Sequence, residues 1–140
     1  MIIKNTSRYP TSEVRKLIRF AMKGIPENKR LEVHVKNSKY GFRGYFYPRV
    51  PYIANTKYDR SFLITIGIGA EDKFPISWNY PGHHRCRKYA CTIQNWKEAL
   101  VHTAAHESEH LRQHMKGKGL REDHAERRAY KTLMKYRNRR

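Results

Sequence analysis

His106-Glu107-Ser108-Glu109-His110 is an H-E-x-x-H string inside a stretch with helical periodicity. On a helix, residues four apart share one face, so the two imidazoles can hold a zinc ion between them. The glutamate that follows the first histidine is then placed to act as general base toward water, with a fourth metal position left open. Read this way, the string is the centre of the fold, and the remaining chain must supply the elements that surround it.

The chain has 8 His, and His102, His106, His110 and His114 lie four apart. Each step of four advances about 40° around a helix. Neighbouring pairs can therefore chelate one ion, while His102 and His114 diverge. Only the 106/110 pair has a glutamate directly after its first member. From Asn95 to Met115, the residues Trp96, Leu100, Ala104, Leu111 and Met115 recur at helical spacing and predict a buried stripe. Gly117-Lys118-Gly119 ends that helix. A second helix follows, with Ala125, Ala129 and Leu133 four apart and Tyr136 near the same face. Its first turns read Glu122-Asp123-His124-Ala125-Glu126-Arg127-Arg128-Ala129. This E-x-x-A-E-x-x-A pattern sets Glu122 and Glu126 on one face, beside small residues that let helices approach closely.

H-E-x-x-H on one helix with E-x-x-A-E on the next resembles the gluzincin branch of zinc metallopeptidases. The similarity is greatest to its compact, single-domain forms in phage and bacterial genomes. His110-Leu111-Arg112-Gln113 and Ala125-Glu126-Arg127-Arg128-Ala129 are similar to those proteins in detail, and the specific match runs from Asn95 onward. The resemblance implies a minimal zincin-like domain of class α+β with Zn2+ as cofactor. His106, His110 and Glu122 would be the metal ligands and Glu107 the catalytic base. Glu126, where the family usually has Asp, would hydrogen-bond a ligand histidine and fix its orientation.

The gap from His110 to Glu122 is shorter than in the larger members of that branch. Seven residues of helix put His110 about 10 Å from the glycine turn, whereas Glu122 follows that turn closely. Either the two helices cross at an angle and Glu122 is the third ligand, the preferred reading, or Glu126 is. His124 and Tyr130 are the nearest candidates in sequence for stabilising an oxyanion.

The upstream chain is consistent with a zincin order. Thr11 or Ser12 can cap a helix whose apolar face is Val14, Leu17, Ile18, Ala21 and Met22, ended by Gly24 and Pro26. Leu31 to Lys36 alternates as a half-buried strand does. Phe42 to Tyr47 reads as a second strand, stopped by Pro48 and Pro51. Phe62 to Ile68, the most apolar segment, reads as a central third strand. In this order the strand at the cleft edge can pair with an extended substrate, with Tyr45 and Tyr47 available to line it. The stretch from Gly69 to Cys91 is too irregular for a regular strand or helix and is expected to be a loop over the cleft. Within it, His83, Cys86 and Cys91 are a weak candidate for a second, structural metal site, and a Cys86–Cys91 disulfide is equally weak.

Composition bounds the rest. The 140 residues make one domain, large enough for a core without staples. No segment reaches the apolar length of a membrane span, and the N-terminus lacks a signal-peptide apolar region. With only 2 Cys, a reducing, cytoplasmic setting is expected. The net charge of +18 attracts polyanions, nucleic acid being the commonest. No helix-turn-helix, zinc finger or RNA-binding sheet signature is present, so such contacts would be mainly to phosphates. The run Lys135-Tyr136-Arg137-Asn138-Arg139-Arg140 is expected to serve as a flexible basic tail. Three functions compete: an intracellular zinc peptidase acting on protein or peptide substrates, a basic nucleic-acid-binding protein with a structural metal, and an inactive interaction module. A general base beside a full ligand set favours the first, because structural zinc needs none.

Overall fold

The computed structural model describes residues 1–26, 28, 30–48 and 62–139; Pro51 and Arg140 lie outside them. The elements are β1 (Ile2–Asn5), α1 (Thr11–Ala21), β2 (Leu31–Asn37), β3 (Phe42–Tyr47), β4 (Phe62–Ile68), β5 (Ile76–Trp78), β6 (Cys91–Ile93), α2 (Trp96–Met115) and α3 (Glu122–Asn138). Short 3-10 turns occupy Glu71–Lys73 and His84–Tyr89. The fold is α+β, as expected. No helix among the described residues is long and apolar enough to cross a membrane.

Alternation builds the sheet. Leu31, Val33 and Val35 of β2 and Ile64, Ile66 and Ile68 of β4 share one buried face and join the main core. β1 and β2 run parallel, β2 and β4 run parallel, and β3 is antiparallel to β4, in the order β1-β2-β4-β3. The apolar β4 is thus interior and β3 is an outer strand. β1 goes beyond the three expected strands; four residues are too few for alternation to register. A further departure is the pairing of β5 with β6: β5 lies inside the stretch expected to be irregular, and β6 begins at its last residue, Cys91.

On α1, Val14, Leu17, Ile18 and Ala21 are buried as the pattern predicts, but the capping residue is Pro10, not Thr11 or Ser12. Thr11 Oγ1 instead accepts a hydrogen bond from Asn5 Nδ2 at 3.1 Å. α2 lies against the sheet, α1 and α3 and is buried on nearly every side from Trp96 to Leu111. Asn95 caps it by accepting from the Glu98 N–H at 3.0 Å, and Glu98 returns a bond to the Gln94 N–H. Met115 departs from the expected stripe: it is exposed, because the last turn runs beyond the packed layers. α3 buries Ala125, Ala129 and Leu133. Arg128 reaches from α3 to the carbonyls of Ala21 and Lys23 and so closes the C-terminal end of α1.

The basic run after Lys135 is not a frayed tail through Asn138; it is the last turn of α3. Arg137 makes two bonds to the Glu98 carboxylate, at 2.7 and 2.9 Å, and another to the Thr92 carbonyl. Burial works against the Glu98 charge, but the Arg137 guanidinium outweighs it and holds the pKa below the ordinary range. This arrangement is general. Glu32, Glu98, Glu107, Glu109 and Glu126 are buried, while no described Lys or Arg is.

β3 approaches α2 closely at Gly44, where a Cβ would stand 2.5 Å from Thr103 Cγ2 and 2.9 Å from Glu107 Cγ. Gly44→Val is expected to push the strand off the helix, a cost of about 1–3 kcal/mol from overpacking. The urea midpoint measures this, and an unchanged midpoint would mean that the strand yields freely.

Candidate metal centre

α2 presents His106, Glu107 and His110 together, one ligand atom of each within 4.8 Å of the others. α3 crosses so that Glu122 faces both histidines. Its Oε2 is 3.0 Å from His106 Nε2 and its Oε1 is 3.0 Å from His110 Nε2. Glu107 stands farther off, 4.0 Å from His106 Nε2. Glu126 is on the other side of the ring, where its Oε2 accepts from His106 Nδ1 at 2.7 Å. Of the two candidates for third ligand, Glu122 is the one brought to the Nε2 side.

The opposite nitrogen of each histidine is also held. His110 Nδ1 donates to Gln113 Oε1 at 3.1 Å. The same oxygen accepts from the Arg121 N–H at 3.0 Å, while Gln113 Nε2 donates to the Arg121 carbonyl at 3.3 Å. Gln113 therefore links α2 to the start of α3 across the glycine turn. An acceptor at each Nδ1 places the proton there and leaves a lone pair on each Nε2.

The residues fit a zinc ion. Two imidazoles and a carboxylate form a ligand set that zinc commonly takes. Although the nitrogen–oxygen distances are short, His110 Nε2 and Glu122 Oε2 are buried with no hydrogen-bond partner. The 3.0 Å contacts that Glu122 makes with His106 Nε2 and His110 Nε2 are ion-pair contacts, and a cation set among the three side chains would satisfy the atoms left without partners. Burial disfavours a charge on His106, yet Glu122 and Glu126 outweigh it and raise its pKa to about 10. The shell thus favours positive charge at this point. Glu122 is held well below the usual carboxylate range: burial opposes its charge, and contact with the two histidines prevails. Glu107 shifts the other way, upward, chiefly through burial.

These groups line a cleft of about 360 Å³ together with Phe42, Gly44 and Phe46 of β3, Trp78, Tyr80 and His102. Trp78 and Tyr80 come from the irregular-looking stretch, which therefore does border the cleft. Trp78 Nε1 donates to Glu126 Oε1 at 2.7 Å, so Glu126 holds the hairpin and His106 at once. Tyr80 stacks on His106 with ring centroids 6.0 Å apart, and burial together with the nearby Glu122 carboxylate pushes its phenol pKa up. His102 packs edge-on against Phe42 and Trp78. Burial lowers its pKa to about 4, so it is neutral, and its Nε2 has no hydrogen-bond partner. At the far end of the histidine series, His114 sits against Phe46 and Phe62.

Other candidates lie elsewhere. His124 opens into a separate hollow with Arg85, Arg87 and Arg127, and Tyr130 packs on Tyr89. Neither lines the cleft; among the described residues the phenols that do are Tyr45 and Tyr80. Cys86 and Cys91 are free thiols, and neither they nor His83 join a three-residue metal-ligating group among the described residues. No family model matches the chain, and neither a curated protein nor a solved structure is significantly similar to it.

Proposed function

We propose that this protein is a zinc-dependent peptidase of gluzincin type. The observation that carries the reading is the meeting of His106 Nε2, His110 Nε2 and the Glu122 carboxylate at 3.0 Å contacts, with Glu107 beside them in an open cleft. His106, His110 and Glu122 would hold the metal, which when bound supplies Lewis acidity toward a carbonyl and makes water nucleophilic at neutral pH. Glu107 takes the proton of the attacking water and returns it to the leaving amine. Burial suits it to this exchange, because a raised pKa makes the carboxylate a stronger base toward the proton of water. The Tyr80 hydroxyl, a phenol lining the cleft, would be the donor toward the developing oxyanion. β3 is the outer strand bordering the cleft, so an extended peptide can add along its edge.

Elemental analysis of the purified chain, with and without a chelator, and digestion of an unfolded protein test this reading together. The expected result is one zinc per chain and cleavage that stops when the metal is stripped. A chain that takes up no zinc at neutral pH overturns it. Within this reading Glu126→Gln should weaken zinc binding by about tenfold, the low end for a group that orients a ligand, because the amide oxygen still accepts from His106. A competition titration with a zinc-binding dye measures the change.

A further inference from the structure

Among the described residues the helices pack on one face of the main sheet. On the opposite face Glu32 of β2 and Leu63 of β4 are buried, with Glu32 bonded to His34 at 3.2 Å; beyond them β2 presents Lys36, β4 presents Thr65, and β3 presents Arg43, Tyr45 and Tyr47. Strand register fixes how these sit: Tyr45 is opposite Thr65, which neighbours His34, while Arg43 and Lys36 flank Gly67 from its two sides. The Tyr45 and Tyr47 rings lie 6.3 Å apart. Tyr40, in the turn before β3, is 67% exposed and Tyr45 is 51% exposed. With Lys39 these residues line a hollow of about 910 Å³ that has no acidic side chain among its described residues.

Exposed tyrosine rings among cations on a sheet face are what a single-stranded nucleic acid requires. The cations meet its phosphates, and the rings give unpaired bases a surface on which to stack. A duplex keeps its bases stacked inside and would use the charges alone. A second cationic hollow, at Arg85, Arg87, Lys88 and Arg127, includes Asp123, and the one tyrosine among its described residues is Tyr89, whose ring is already packed on Tyr130. We infer that the exposed end of this sheet face, through Tyr40, Tyr45, Lys36 and Arg43, is a binding surface for single-stranded nucleic acid. The inference stands apart from the metal reading. It also gives β3 two roles, since Arg43 and Tyr45 border both this hollow and the cleft.

The test is fluorescence anisotropy of a labelled 20-nucleotide oligo(dT) with the full chain over a range of salt, beside a duplex of equal length and polyglutamate as competitor. The single strand should bind more tightly than the duplex. Tyr45→Ala should weaken binding by about tenfold, within the range of one lost base stack, and leave the salt slope unchanged. Tyr45→Phe should retain affinity. Lys36→Ala and Arg43→Ala should each flatten the slope by about 0.7. Thermal melting checks that each variant folds, and Tyr40→Ala repeats the stacking test in a turn if the strand variant does not. Wild-type affinity in folded Tyr45→Ala and Tyr40→Ala would overturn the proposal. So would equal binding of the duplex, displacement by polyglutamate at equal charge, or loss of binding only in Arg87→Glu and Arg127→Glu.

Discussion

Glu107→Gln should leave zinc content unchanged and lower the rate of peptide hydrolysis by about 10²–10⁴, the usual contribution of a positioned acid–base group. The substitution is nearly isosteric, which matters at this position. Glu107 is 6% exposed and packed beside Gly44, so a shorter or bulkier residue would disturb the contact between β3 and α2 and confuse structure with chemistry. Removing its charge also removes one of the groups that favour positive charge on His106, but Glu122 and Glu126 remain. Metal retention is therefore expected. Steady-state hydrolysis, read beside zinc content for the variant and the parent, decides the matter. Equal turnover would remove Glu107 from the role of base.

Glu122→Ala should produce the largest loss of metal. Structural zinc sites with four protein ligands bind with roughly 12 kcal/mol, about 3 kcal/mol per ligand, and a loss of that size is roughly two orders of magnitude in affinity. The geometry makes the comparison with Glu126→Gln informative. Glu122 meets both Nε2 atoms, whereas Glu126 touches only His106, and from behind. The order of effects should be Glu122 well above Glu126 in a competition titration. If Glu126→Gln emptied the site and Glu122→Ala did not, Glu126 would be the third ligand.

The parts legible in the sequence are those whose pattern repeats over several turns or strand residues. α1, β2, β3, β4, α2 and α3 all carry a periodic apolar face, and the H-E-x-x-H spacing puts His106 and His110 together without help from elsewhere. Trp78, Tyr80 and Gln113 were not legible as site residues, because what places them is distant. The β5–β6 pairing, closed across the 12 residues between Trp78 and Cys91, brings Trp78 to Glu126. Gln113 acquires its role only when Arg121 comes back to it after the glycine turn. For His124 the signal was available. It stands two residues after Glu122, about 200° around the helix, and so faces away from whatever Glu122 faces.

The placement of acids inside and bases outside has a kinetic consequence. A zinc ion approaching the folded, metal-free chain first meets a field of net charge +18 and feels the carboxylates only at close range. In dilute salt that repulsion extends about 30 Å, but at physiological ionic strength it shrinks to about 8 Å. Added salt should therefore speed zinc uptake, the reverse of its effect on any polyanion held at the surface. Stopped-flow uptake at low and moderate sodium chloride reads the sign directly. A rate that fell with salt would mean that the cleft's negative charge reaches past the cationic shell and draws the ion in.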